Sequence, residues 1–251
     1  MINRNHTEEE NTKRFNEFMD KLVEKIEDEY VVVTDADETL SEFDTSHIFC
    51  DSYLQDKLWL ETREKFATIG RNYEGFLEVA KLYSRIDPEE YKKHCQKSSK
   101  KVKLHEGWDD FIKRAPVVIV VTSGVKMLWQ EIIQNYCWAN VHLIGGNRFD
   151  LDDFIVDPNA KGIIVQKLLK AKKRVLAFGD SRIDAQMLTG AHMGCLVINE
   201  RRNPGLPEML TGLDSIVQLR TKAKPHKNIP IKTFEEIFIN FFGGKPDSLL
   251  S

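Results

Sequence analysis

Cysteine is scarce in this sequence. Its 251 residues hold four, Cys50, Cys95, Cys137 and Cys195, widely spaced and without a C-x-x-C pair. That spacing excludes a zinc knuckle and a disulfide framework and is the usage expected of reduced thiols in a cytoplasmic protein. Long apolar runs are absent too. None approaches the roughly 20 residues that cross a bilayer, and the opening MINRNHTEEE has neither an apolar stretch nor Arg enrichment, so no membrane partner and no signal or transit peptide is expected. Neither sign of charge dominates: 36 Lys and Arg stand against 39 Asp and Glu, a net charge of −3. Nothing global therefore favours a nucleic-acid or membrane-surface partner, and the local run Lys97–Lys103 reads as a solvated helix end. His47, His105 and His192 are isolated residues with no metal-ligand spacing. There is no internal repeat and no low-complexity segment.

What is present is the balance of an ordinary globular chain, 41% hydrophobic and 30% charged, long enough for one large domain or one domain with an insert. Phe15, Phe18, Met19, Leu22, Val23 and Ile26 recur at helical spacing and predict an amphipathic helix over about 11–28. Short apolar runs follow: Val31–Val33, Val117–Val121, Val141–Gly146, Arg174–Phe178 and Cys195–Asn199, most of them separated by helical patterns. Such alternation predicts an α/β fold, a Rossmann-like parallel sheet covered by helices on both faces. Ser215–Leu219 is expected to add an edge strand and Phe234–Phe242 a closing helix stopped at Gly243. Between Ser41 and His105 the pattern changes. This segment has no comparable strand and reads as helices, with Pro88 suited to a first turn. The expected organisation is a core of 1–40 and 106–251 and a small all-helical module of 41–105 inserted after the first strand, which at that size must lean on the core.

In an open parallel sheet ligands bind beyond the carboxyl ends of the strands. The residues there are informative. VVVTDADETL places Asp35, Asp37 and Thr39 after the first strand; Thr122, Ser123 and Gly124 follow the second; Gly179, Asp180 and Asp184 follow Arg174–Phe178; Lys161 stands in NAKG ahead of that strand. If the strands are neighbours, four carboxylates, an ammonium and hydroxyls converge. Unpaired carboxylates so close raise each other's pKa, and a divalent cation resolves the conflict; oxygen donors without His or Cys favour Mg2+. The set suits phosphoryl transfer: one Asp as nucleophile, a second as acid and base, and hydroxyl, Lys and backbone N–H groups around the charge of the transition state. Taken singly, each motif has a plainer reading. Asp35–Thr39 alone is a solvated acidic turn, Asp180 and Thr122 alone are helix caps, and Lys161 alone is a surface lysine; four in order at strand ends are not explained that way.

These residues resemble the haloacid dehalogenase superfamily of phosphohydrolases. TDADETL matches its D-x-D-x-T motif, VVTSG its apolar strand ending in Thr or Ser, NAKG its lysine and GDSRID its G-D-x-x-x-D. The resemblance covers about three quarters of the chain. It implies Asp35 as nucleophile and Mg2+ ligand, Asp37 as general acid/base and metal ligand through its carbonyl, and Thr122, Ser123, Gly124 and Lys161 around the phosphoryl group. Asp180 and Asp184 would complete the metal site. The helical insert matches the type C1 cap, and within the superfamily the phosphoserine phosphatase-like branch is the nearest in appearance. That branch reads its substrate with a cap acid and a cap Arg; Asp44 stands near the expected acid, and Arg63, Arg71 and Arg85 are the candidate arginines. One departure is Ile183, which stands where many members carry Asn or Asp. Trp59 and Tyr83 read as core of the helical insert.

The expected function is a Mg2+-dependent phosphomonoester hydrolase acting on a small phosphorylated metabolite through an aspartyl-phosphate. Two alternatives share the residues: a phosphotransferase or mutase using the same intermediate, and a catalytically idle binding or regulatory module on the same fold. Dehalogenation is disfavoured, because its nucleophile needs no acid two residues on, and Asp37 is present.

Overall fold

The computed structural model describes residues 7–53, 57–151, 154–199 and 205–243; Met1–His6, within the stretch from which the absence of a leader was read, lie outside them. In chain order the elements are α1 (Glu8–Lys25), β1 (Tyr30–Asp35), α2 (Thr45–Tyr53), α3 (Lys57–Ile69), α4 (Tyr73–Tyr83), α5 (Pro88–Ser99), α6 (Trp108–Arg114), β2 (Val118–Thr122), α7 (Lys126–Asn135) and β3 (Val141–Gly145). Then come α8 (Pro158–Lys170), β4 (Arg174–Gly179), a 3-10 turn (Arg182–Asp184), α9 (Ala185–Gly190), β5 (Met193–Val197), α10 (Leu206–Leu210), β6 (Ile216–Leu219), β7 (Ile231–Lys232) and α11 (Phe234–Phe242).

The seven strands form one sheet in the order β3-β2-β1-β4-β5-β6-β7, every pair parallel. The α/β expectation holds. Ser215–Leu219 does supply a strand, but β7 pairs outside it, so β6 is not the edge; β7 has two residues, too few to leave an apolar run in the sequence. β1 and β2 are buried almost throughout because alternate side chains serve opposite faces. Val32, Val118, Val120 and Leu176 enter one apolar cluster; Val31, Val33, Ile119 and Val175 enter the other. α1, α8, α9 and α10 cover the second face, with Phe15, Met19 and Leu22 of α1 at helical spacing. Thr7 caps α1 by accepting from Glu10 N at 3.2 Å, and three glutamates in its first turn suit the positive end of the helix dipole.

α6, α7 and α11 cover the first face, and the cluster continues without a break into Phe49, Leu58, Val79, Tyr83 and Tyr91 of α2–α5. The ends of the segment 41–105 meet in an antiparallel bridge between Ser41 and Leu104. The helical reading of 47–69 is met by α2 and α3, on either side of residues 54–56, which lie outside the described residues. Pro88 stands in the first turn of α5, which Asp87 caps, and Gly243 ends α11 at φ 81°, as the sequence predicts.

Candidate active site

The strand order reverses direction at β1: β2 and β3 lie to one side and β4–β7 to the other. The carboxyl end of β1 is therefore the switch point where a ligand site forms. Register sets its members level. Asp35 aligns with Val121 and Thr34 with Phe178, so Asp35, Thr122 and Asp180 sit on one rim. The turn after β1 is tight, with Leu40 N donating to Ala36 O at 2.9 Å. Glu38 takes φ 60° there, a left-handed conformation costing a non-glycine residue about 1 kcal/mol.

Lys161, fully buried, enters from the first turns of α8. Its Nζ donates to Asp35 Oδ1 at 2.5 Å and to Asp184 Oδ1 at 2.6 Å. Asp184 Oδ2 accepts from Ser181 N, Ser181 Oγ and Asp180 N at 2.9, 2.8 and 3.3 Å. Both its oxygens are thus engaged in shaping the loop after β4; Ser181, rather than Asp180, caps the turn that follows. Asp180 accepts from Thr39 Oγ1 at 3.0 Å and from Asn199 Nδ2 at 3.1 Å. Asp37 stands on the other side of Asp35. Its Oδ2 accepts from Thr122 Oγ1 at 2.8 Å, and its Oδ1 from Thr45 N at 2.9 Å, from Thr45 Oγ1 and, at 3.4 Å, from Trp129 Nε1. Thr122 Oγ1 also accepts from Gly124 N at 2.8 Å. Thr122 does not cap α7, whose N-cap position is Val125. Ser123 Oγ is buried and makes no hydrogen bond.

The electrostatics follow from burial. Desolvation, then the Asp184 charge, push Asp35 up to about 8, with Lys161 acting in the opposite direction. Burial and the neighbouring Asp184 and Asp35 hold Asp180 well above the carboxylate range. Burial alone would lower Lys161, but Asp184 and Asp35 outweigh it and raise its affinity for the proton.

Asp35, Asp180 and Asp184 each bring a carboxylate oxygen within 4.8 Å of the others. Three carboxylates face one ammonium, an excess of buried negative charge that a divalent cation offsets. The donors are all oxygen, which fits Mg2+.

Asp35, Asp37, Ser123, Gly124 and Asp180 line one cavity of about 660 Å³, together with Asp44, Arg63 and Arg71. Arg85 does not line it; it is exposed and lies 3.9 Å from Glu61. Tyr83 is fully buried, with its hydroxyl 3.1 Å from Cys50 Sγ, as a core residue should be, though its ring reaches the cavity wall. Trp59 is only half-buried and faces the cavity. Sequence reasoning missed Thr45, Trp129 and Asn199. Asn199 alone left a trace, as the polar residue that closes the apolar run Cys195–Asn199.

The fold and this rim define a parallel α/β protein with an acidic, lysine-bearing site at its switch point. The profile of the haloacid dehalogenase-like hydrolases matches residues 32–189, and the chain belongs to that family. The fold is phosphoserine phosphatase-like. A substrate-bound phosphoserine phosphatase superposes with a TM-score of 0.54 at 19% identity, covering 76% of this chain and 93% of that one. Phosphoserine phosphatase from T. onnurineus gives 0.51 at 17% identity over 86% and 95%. Cytosolic 5'-nucleotidase IIIB bound to cytidine gives 0.52 at 14% identity over 86% and 89%. No curated protein sequence matches the chain.

Proposed function

We propose that the protein is a Mg2+-dependent phosphomonoester hydrolase that acts on a small phosphorylated metabolite through an aspartyl-phosphate on Asp35. One observation carries this reading: Asp35 from β1 and Asp180 and Asp184 from the end of β4 meet within 4.8 Å, with Lys161 buried between two of them. A Mg2+ held by Asp35, Asp180 and the Asp37 carbonyl, with Asp184 behind it, would draw charge from the phosphoryl oxygens. Asp35 attacks phosphorus as the bond to the leaving oxygen breaks, and Asp37 delivers a proton to that oxygen. Asp37 then takes a proton from the water that attacks the aspartyl-phosphate, which releases inorganic phosphate and restores Asp35. Lys161 holds Asp35 in line and carries positive charge to the transferring group. The Ser123 hydroxyl, buried without a partner, and the main chain of the 122–124 turn receive its equatorial oxygens.

Residues 41–105, containing α2–α5, serve as a cap over a core of 1–40 and 106–251, with Asp44, Arg63 and Arg71 facing the leaving group. The four free thiols fit a cytoplasmic location. No described helix is long and apolar enough to cross a membrane.

The test is turnover of an aryl phosphate with and without Mg2+. Activity that needs Mg2+ and is lost in Asp35→Asn supports the reading. Asp37→Asn should slow an alkyl phosphate about 100-fold or more while keeping Mg2+ binding. Folded protein that turns over none of a broad set of phosphate esters would overturn the hydrolase and leave a binding module.

A further inference from the structure

We propose that the leaving alcohol of the substrate carries a planar ring and is of about nucleoside size, the ring lying on the face of α3 formed by Trp59 and Phe66. This rests on the hydrolase reading above and concerns what the rest of the same cavity receives.

The cavity is too large for a short polar leaving group. Its volume of about 660 Å³ falls in the middle of the roughly 300–1,000 Å³ range of sites that enclose drug-sized ligands. The carboxylates are only part of its lining. Besides them, Trp59, Thr62, Arg63, Phe66 and Ala67 line the wall and recur at i, i+3, i+4, i+7 and i+8, one stripe of a single helix. Trp59 and Phe66, seven residues apart, are about 10 Å apart along the helix axis, room for a ring system and what it is attached to.

These two aromatics pack against the edge of the core but are not enclosed by it. Trp108, Trp129 and Trp138 are all buried, whereas Trp59 and Phe66 are only partly covered. Both are nonetheless held in place. Trp59 packs on His47 with ring centroids 5.0 Å apart. Phe66 meets Phe76 edge-on at 5.0 Å, and the Arg71 guanidinium lies 5.2 Å from its centroid. The core adds Ile183 to the lining, an apolar side chain packed toward the α4 cluster where many superfamily members carry an amide or acid. A serine- or glycerol-sized alcohol would leave this surface wet. A ring covers it, and stacking of a flat ligand on an aromatic side chain is sequence-tolerant and favourable.

The experiment compares kcat/KM, with Mg2+, for ethyl phosphate and 2-phenylethyl phosphate, whose leaving alcohols differ by the ring alone. Phosphoserine and a nucleoside 5'-monophosphate are run beside them. The ring-bearing esters should be preferred at least tenfold. Trp59→Ala and Phe66→Ala should bring the ratio close to one, chiefly through KM, and Trp59→Phe should retain most of it. Equal efficiency for ethyl and 2-phenylethyl phosphate, or a preference that survives both alanine variants, overturns the proposal. If no ester is hydrolysed, tryptophan fluorescence decides. A change on adding 2-phenylethyl phosphate but not ethyl phosphate, lost in Trp59→Phe, keeps the ring site and rejects the hydrolase; no change with either rejects the ring site.

Discussion

Asn199 Nδ2 donates to Asp180 Oδ2 at 3.1 Å, while Thr39 Oγ1 holds Asp180 Oδ1 from the other side at 3.0 Å. The carboxylate is pinned by an amide from the end of β5, the strand next to its own. Ile183 leaves no amide at the position before Asp184, and Asn199 supplies one to the acid cluster from a different element. Its own Oδ1 is buried without a partner, so the residue is held for what its Nδ2 does. Partners that orient ligands typically account for 10–100-fold in metal affinity. Asn199→Ala should weaken Mg2+ binding by about that factor, measured by calorimetric titration and by a smaller Mg2+-induced rise in Tm. Unchanged affinity would remove Asn199 from the metal site.

The sequence makes one part of this site legible and hides another for a physical reason. Asp35, Thr122 and Asp180 are readable because each directly follows a short apolar run, and a strand's end is a local property of the chain. Lys161 and Asp184 are readable by their order around the fourth strand. Thr45 and Arg148 are not, and Asn199 only by its polar end to an apolar run, because each acts through a partner brought near only by the fold: Arg148 reaches the carbonyl of Ile86, 62 residues away. Which arginine faces the cavity depends on the rotation of α3, which carries Arg63, and on the path of the turns before and after α4, which carry Arg71 and Arg85, so the three could not be told apart. The sheet followed from alternation of strands and helices, and it missed only β7, whose two residues carry no periodicity.

Arg148 fastens the loop after β3 to the α4–α5 turn. It is 1% exposed, donates from Nη1 to Ile86 O at 3.0 Å, forms a two-point pair with Asp150 at 2.9 and 2.7 Å, and lies 4.7 Å from the centroid of Tyr91. Removing it strands a buried carbonyl and opens a gap beneath Tyr91. Arg148→Ala should cost about 2–3 kcal/mol, seen as a lower denaturation midpoint, and should speed proteolysis between Tyr83 and Pro88. A loss under about 0.5 kcal/mol, the range of ordinary surface substitutions, would show that the loop and the turn are held by other contacts.

Asp44 gives the fold a pH dependence of definite sign. Burial, followed by the charges of Asp37 and Glu38, pushes its carboxyl from 3.8 up to about 7. Its folded-state pKa is raised, so the folded form is favoured by the protonated acid at low pH, and that contribution is lost as pH rises from about 4 to about 7. Asn keeps the cap that Asp44 makes to Ser46 N at 2.8 Å and removes the charge. With chelator present, Asp44→Asn should match wild-type stability near pH 4 and exceed it increasingly up to about pH 7, by about 2–4 °C in Tm for each kcal/mol in a chain of this size. A difference that stays constant across that range would contradict the assignment.

Gly124 is where the 122–124 turn and Asp37, the proposed acid/base, come closest. A Cβ there would lie 2.7 Å from Asp37 Oδ2, 3.1 Å from Ser46 Oγ and 3.2 Å from Thr122 Oγ1. Neither Asp37 nor Thr122 is a flexible end free to swing aside: Asp37 is fixed by Thr45 and Thr122, and Thr122 by Gly124 N itself. The methyl group therefore displaces the Asp37 carboxylate, and a shift of about 1 Å in a catalytic group costs on the order of 100-fold. Gly124→Ala should fold and bind Mg2+ but hydrolyse alkyl phosphates about 100-fold more slowly. An aryl phosphate, whose leaving group departs without a proton, should lose much less. Equal losses on both esters would mean that the methyl group blocks the phosphoryl group itself, and that Asp37 stays in place.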